Sequence, residues 1–204
     1  MSALVVKIGG SLWRSPQLGE WITALRHFPG PVTVVPGGGP FADAVRAAQK
    51  VMGFSDAAAH EMALLAMEQY GLALVGMFEG LTMAPPPAAA RRGEIRVWRP
   101  SAAARVAEIP ASWDMTSDSL AAWFARSSGA NRLLLIKSVD LDADGGPPDL
   151  CDPYFPAFAA GLQVFVAGPR GLDRAAQVFA RGDIVGARLD AGKEKAGVNI
   201  ICRR

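Results

Sequence analysis

Histidine and cysteine are scarce, with two of each among 204 residues. His27 and His60 lie too far apart, and have too few companions, to make a metal site, so no metal centre held by protein ligands is expected. Cys151 and Cys202 fall into no metal-ligand or redox spacing. With no signal peptide ahead of Ala3, they are expected to be reduced thiols of a cytoplasmic protein. Charge of one sign is missing too: 21 basic residues against 19 acidic ones leave +2, and the basic ones are scattered. That excludes the basic stripe with interleaved aromatics that nucleic-acid binding needs. The longest apolar run, residues 62–81, is broken by Glu68, Gln69 and Glu79, whereas a membrane span takes ~20 mostly apolar residues. Two catalytic signatures are absent. No Walker A loop sets a lysine behind its glycines, and no G-x-S-x-G elbow presents a nucleophilic serine.

Core material is plentiful. Half of the residues are hydrophobic, which argues against disorder, and the length suits a single domain with a real core. Strand-like runs alternate with helix-like runs, the pattern of an α/β fold with a mainly parallel sheet. Strands are expected at residues 3–8, 32–35, 95–98, 132–137, 163–167, 185–189 and 198–202. Helices are expected at 17–28, closed by Pro29-Gly30-Pro31, at 40–51, and from a Ser55 or Asp56 cap towards Phe78. Two more follow at 117–127, with Ser117 as cap, and at 172–181. The long helix carries apolar residues on more than one face, so it is either clamped between neighbours or shared with a second subunit. Residues 84–92 (A-P-P-P-A-A-A-R-R) read as a flexible segment, either a lid or a surface connection.

Four short motifs carry chemistry. In L-V-V-K-I-G-G-S, Lys7 sits inside a buried strand ahead of Gly9, Gly10 and Ser11. An unpaired buried ammonium is expensive, and a phosphate held by the following bare amides is a natural partner. The rival is a lysine snorkelling out of an edge strand. In V-T-V-V-P-G-G-G-P, Gly37, Gly38 and Gly39 lie between a strand and a helix N-terminus, a second anion cradle. Gly37, Gly39 and Ala42 also fit a G-x-G-x-x-A dinucleotide fingerprint. Its acidic partner should end the next strand about 20 residues on, yet Asp56 and Glu61 fall in or beside a helix. In W-D-M-T-S-D-S-L-A-A, the polar groups Asp114, Thr116, Ser117 and Asp118 converge where a helix begins. In L-L-L-I-K-S-V-D-L-D, a buried strand ends in Lys137 and then in Asp140, at the edge where parallel sheets bind ligands.

Taken in order, K-I-G-G-S, P-G-G-G-P-F, T-S-D-S-L-A and L-I-K-S-V-D-L-D resemble the amino acid kinase superfamily, which includes acetylglutamate, carbamate, uridylate and isopentenyl phosphate kinases. The tail agrees: V-A-G-P-R-G-L and R-G-D-I-V-G-A-R-L look like its closing glycine loop and last strand, with Ala187 in place of the usual threonine. Within the superfamily, P-G-G-G-P-F-A-D-A-V-R, A-A-H-E-M-A-L-L-A-M-E-Q-Y-G and T-S-D-S are similar to the small kinases of methanofuran biosynthesis, which turn an aminomethylfuran methyl phosphate into its diphosphate. The resemblance implies a three-layer αβα sandwich. An acceptor-binding portion would cover roughly residues 1–112 and a nucleotide-binding portion roughly 113–204.

The resemblance also implies roles. Lys7 would bridge the transferring phosphoryl group, with Gly9, Gly10 and Ser11 on the ATP phosphates. Gly37, Gly38 and Gly39 would hold the acceptor's phosphate or carboxylate. Asp118 matches the acid that orients the catalytic lysines, Lys137 resembles a second phosphate-contacting lysine, and Asp140 falls in the nucleotide loop. Many members carry a later G-G-M and lysine that this chain lacks, which leaves the second positive charge to Lys137 or Arg170. Asp43, Arg46 and His60 are candidate acceptor contacts, although each also suits a solvated helix face. Asp114 and Thr116 complete the expected substrate site. Magnesium would arrive with ATP, held mainly by its phosphates. A homodimer, through the long helix, or a higher homo-oligomer is expected. Two other readings stand beside the kinase: a Rossmann-type NAD(P)-dependent oxidoreductase, and a non-catalytic nucleotide-binding relative.

Overall fold

The computed structural model describes residues 3–84, 93–101, 109–140 and 150–189. Its short apolar runs form one sheet from β1 (Leu4–Ile8), β2 (Val32–Pro36), β3 (Leu81–Ala84), β4 (Ile95–Trp98), β5 (Arg132–Ile136), β6 (Gln163–Ala167) and β7 (Ala187–Leu189). The order across the sheet is β3-β4-β2-β1-β5-β6-β7, and only β6 and β7 pair antiparallel. β1 is therefore a central strand, with Lys7 opposite Val35 of β2 and Leu135 of β5. Lys7 is only 5% exposed, so it does not snorkel from an edge.

The helices are α1 (Gln17–Leu25), α2 (Gly39–Met52), α3 (Asp56–Met77), α4 (Ser117–Ser127), α5 (Phe155–Ala159) and α6 (Leu172–Ala180). α1 stops short of the expected Phe28. Arg26, His27 and Phe28 bond to carbonyls three residues back, a tightened exit that Pro29 cannot prolong as α-helix. Ser55 caps α3 by accepting from the Ala58 amide. At α4 the expected cap moves by one residue. Thr116, extended at φ −111°, accepts from the Asp118 amide, and Ser117 is already helical. β7 starts at Ala187 rather than at Val185, because Gly186 turns the chain at φ +110°. β3 and α5 were not anticipated; both are too short to show a periodic pattern. Residues 85–92, the proposed strand at 198–202 and Cys202 lie outside the described residues.

Alternation along β1 divides the core in two. Leu4, Val6 and Ile8 face Trp21, Ile22 and Leu25 of α1 and Phe179 of α6. Val5, with Leu133 and Leu135 of β5, faces Leu120 and Phe124 of α4 and Phe155 of α5. Helices on both faces of the sheet give the three layers. α3 supplies Tyr70 and Leu74 to the first core and Leu64 and Met67 to the second, which accounts for apolar residues on more than one of its faces. The same alternation sends Lys7 towards α4, two residues beyond Val5 on the same side.

Candidate active site

The two glycine turns are in backbone contact. After β1 the Gly9 amide bonds to the Ile136 carbonyl at 3.0 Å, and after β2 the Gly37 amide bonds to the Ile8 carbonyl at 2.9 Å. These bonds stitch the carboxyl ends of three parallel strands together, so both turns open at one place. A Cβ on Gly10 would stand 2.7 Å from the Gly39 nitrogen, and one on Gly37 would run into the Gly10 nitrogen, 2.8 Å from its Cα. Gly39 itself has φ +53°. Gly37→Ala is therefore expected to force two backbones apart and to destabilise the fold by about 1–3 kcal/mol, read as a lower denaturant midpoint at unchanged slope.

Asp118 lies beside these turns, on the first turn of α4, and its carboxylate joins two lysines. Lys7 Nζ is 3.0 Å from Oδ1, and Lys137 Nζ is 2.5 Å from Oδ2. Lys137 also donates to the Leu150 carbonyl at 2.8 Å. Burial opposes ionisation of Asp118, but the two ammonium groups outweigh it and hold the carboxyl below its ordinary range. The cluster thus carries two positive charges against one negative charge, in a place where Lys7 and Asp118 are almost fully covered. Such a surplus calls for an anion.

A cavity of about 320 Å3 opens against both turns, where Gly10, Ser11, Gly38 and Gly39 line it. Asp43 and Arg46 of α2, His60 of α3 and Thr116 line it as well. Arg46 is 3.3 Å from Asp43 and lies over the Trp113 ring at 4.3 Å. Burial lowers the His60 pKa, with Glu61 pulling the other way, which favours a neutral imidazole. Asp114 is exposed and does not line the cavity. Ser11 also donates to Ser138 at 2.9 Å. The Arg170 amide donates to Asp140 at 2.9 Å, and its guanidinium is 3.5 Å from the same carboxylate. Gly168 makes this approach feasible, since a Cβ there would stand 2.6 Å from the Asp140 Cα.

Several residues here escaped sequence reasoning. Gln49 accepts from the Trp113 indole at 2.6 Å and donates to Asp56 at 2.9 Å, tying two walls of the cavity. Asp152, 9% exposed, accepts from the Thr116 amide at 3.0 Å, its hydroxyl at 2.7 Å and the Ser119 amide at 3.1 Å. The only sequence signal was its place before Pro153, ahead of a short helix. Among the described residues no group of three or more His, Cys, Asp or Glu side chains could hold a metal ion. No helix among them is long and apolar enough to cross a membrane.

Comparison with known proteins bears on the family and the fold. A curated relative, the (5-(aminomethyl)furan-3-yl)methyl phosphate kinase of Methanocaldococcus jannaschii, is 27% identical over 144 residues, 67% of this chain and 66% of the relative. The match thus spans just under two thirds of that relative's length. The crystal structure of uridylate kinase from Archaeoglobus fulgidus superposes with a TM-score of 0.62 at 14% identity, covering 92% of this chain and 99% of that one. UMP kinase from Bacillus anthracis gives 0.61 at 13% identity, covering 94% and 97%. These two likenesses show the fold, the α/β sandwich expected from the motifs. Residues 2–149 match the model of the amino acid kinase family. That match covers well over half of the sequence, and the chain belongs to the amino acid kinase family.

Proposed function

We propose that this kinase transfers the γ-phosphoryl group of ATP to a phosphate-bearing acceptor seated in the cavity between the glycine turns, α2, α3 and the segment ahead of α4. The observation that carries this reading is the joining of Lys7 and Lys137 by Asp118 at the carboxyl ends of β1 and β5. The positive surplus there suits a phosphoryl group in transit between two anion cradles. Phosphoryl transfer asks a protein for position and charge neutralisation more than for covalent chemistry. Lys137, bound to the same carboxylate as Lys7, supplies the second charge that the missing C-terminal lysine would have brought. Arg170, paired with Asp140, serves the nucleotide side.

The residues present suit ATP. Gly10 leaves no room for a side chain, the Gly9 amide fixes the turn by donating to the Ile136 carbonyl, Ser11 and Ser138 add hydroxyls, and Asp140 pairs with Arg170. Bound ATP with Mg2+ supplies the transferable group and shields its charge. The ion would be carried mainly by the phosphates. Gly38 and Gly39 hold the acceptor's phosphate, with Arg46 and His60 as further donors and Asp43 for an ammonium; Gly37, whose amide already donates to the Ile8 carbonyl, supports the turn and does not contact the acceptor. Thr116 closes that wall, whereas the exposed Asp114 stands outside it. The best acceptor is an aminomethylfuran methyl phosphate, giving the diphosphate, by analogy with the curated relative. The acceptor portion, residues 1–112, and the nucleotide portion, 113–204, share this cavity, because Trp113 and Thr116 form part of its wall. Exposed Leu65, Leu72 and Met77 on α3 suit a homodimer, and the cytoplasm is the proposed compartment.

A ligand that binds only the native state raises its melting temperature. ATP with Mg2+ is expected to stabilise the protein, and NAD or NADP is not. Stabilisation by NAD(P) alone would favour the oxidoreductase reading and overturn this one.

A further inference from the structure

We infer that Asp152 is a positioning residue, whose carboxylate takes over the N-terminus of α4 and so frees Asp118 to hold both lysines. The inference rests on the kinase reading for its catalytic consequence only. The first amides of a helix lack intrahelical partners and attract any nearby anion. Asp118, on the first turn, is the natural candidate, yet both of its oxygens are engaged by Lys7 and Lys137. The amides are served by other groups. Thr116 N and Ser119 N donate to Asp152 Oδ2 at 3.0 and 3.1 Å, and Asp118 N donates to Thr116 Oγ1 at 3.4 Å. The hydroxyls of Thr116 and Ser119 also donate to Asp152, and so does the Tyr154 amide at 3.1 Å.

The segment that carries Asp152 fixes a lysine as well. Two residues earlier, the Leu150 carbonyl accepts from Lys137 at 2.8 Å. A stretch of three residues thus sets both the helix that bears Asp118 and one of the ammonium groups Asp118 must meet. Without the Asp152 carboxylate, the uncovered amides compete with Lys7 and Lys137 for Asp118. An ordinary helix cap elsewhere in the molecule would change stability alone.

The test is Asp152→Asn, which keeps the shape but turns an amide group towards N–H donors. Competitive acylation of lysines, read by peptide mass, reports how firmly Lys7 and Lys137 are held, with or without substrate. Their labelling is expected to rise several-fold relative to exposed Lys50. In the kinase assay, kcat falls about 10–100-fold with KM values little changed, the scale expected when catalytic groups are misplaced by about an ångström. Combined with Asp118→Asn, the change adds little further loss, because both act through one carboxylate. Should Asp152→Asn fail to fold, Ser119→Ala removes a single hydroxyl bond and is read in the same way. Wild-type lysine labelling in a folded variant, or losses that multiply in the double variant, overturns the inference. A wild-type protein that phosphorylates no acceptor sinks the kinase reading and leaves the labelling result to judge Asp152.

Discussion

Lys7→Ala lowers turnover about 100–1000-fold, the scale seen when a preorganised donor to developing negative charge is removed. Three features of its setting make the effect large. Lys7 lies in the central strand of the sheet, so the backbone holds it rigidly. It is 5% exposed, and water cannot replace its charge at short range. It stands two residues ahead of the glycine turn, where Gly10 and Ser11 line the cavity. The loss should appear in kcat and kcat/KM together, since the charge matters most as the phosphoryl group moves. Stability should change much less, because Asp118 keeps Lys137 as a partner at 2.5 Å. A steady-state comparison of the two proteins with ATP and Mg2+ checks this. Full turnover in the variant would remove Lys7 from the chemistry.

Asp118→Asn is expected to damage both folding and activity. Removing one member of a buried ion pair costs about 3–5 kcal/mol, because the remaining charge stays uncompensated. Here one substitution strips two ammonium groups of their common partner. The pH dependence follows from the direction of the Asp118 shift. Its pKa in the folded protein lies below the ordinary 3.8, with burial opposing and the two lysines prevailing. The native state therefore holds this proton less tightly than the unfolded chain. The stabilisation is fully present above the unfolded pKa and fades as pH falls through the folded one. Denaturant titrations from neutral to acid pH should show wild type losing this increment in acid, while Asp118→Asn lacks it throughout. The gap between the two proteins narrows as pH drops. Turnover in the variant falls at least as far as in Lys7→Ala, since both lysines lose their orientation.

Most of the strands, though not β3, and the two glycine turns were legible in the sequence because they depend on local facts. Runs such as L-V-V-K-I are apolar without interruption, as strands buried on both faces are, and glycine clusters directly behind them mark the turns. Lys7 stood out for the same reason, as a charge set inside such a run. The Lys137–Asp118 pair was legible only through the resemblance, since the two are separated by 19 positions and no periodicity links them. The clamp made by Asp152 was hidden. Its partner Ser119 lies 33 residues away, and the helix behind it, Phe155–Ala159, is only 5 residues long. Gln49 was hidden as well, one polar residue among several on α2 until the fold brought Trp113 against it, 64 positions away. The Thr116 cap was misplaced by one because three adjacent residues can all cap a helix. What decided between them was the backbone, extended at Thr116 and already helical at Ser117.

In the proposed reaction, one carboxylate joins two lysines to move a phosphoryl group onto a phosphate acceptor. Phosphorus NMR of the wild-type protein with ATP, Mg2+ and an aminomethylfuran methyl phosphate tests it directly. Paired resonances of a new diphosphate should grow as ADP forms, and neither should appear at a comparable rate with Lys7→Ala or Asp118→Asn. Absence of any diphosphate, with this acceptor and with a panel of other phosphorylated alcohols, would contradict it.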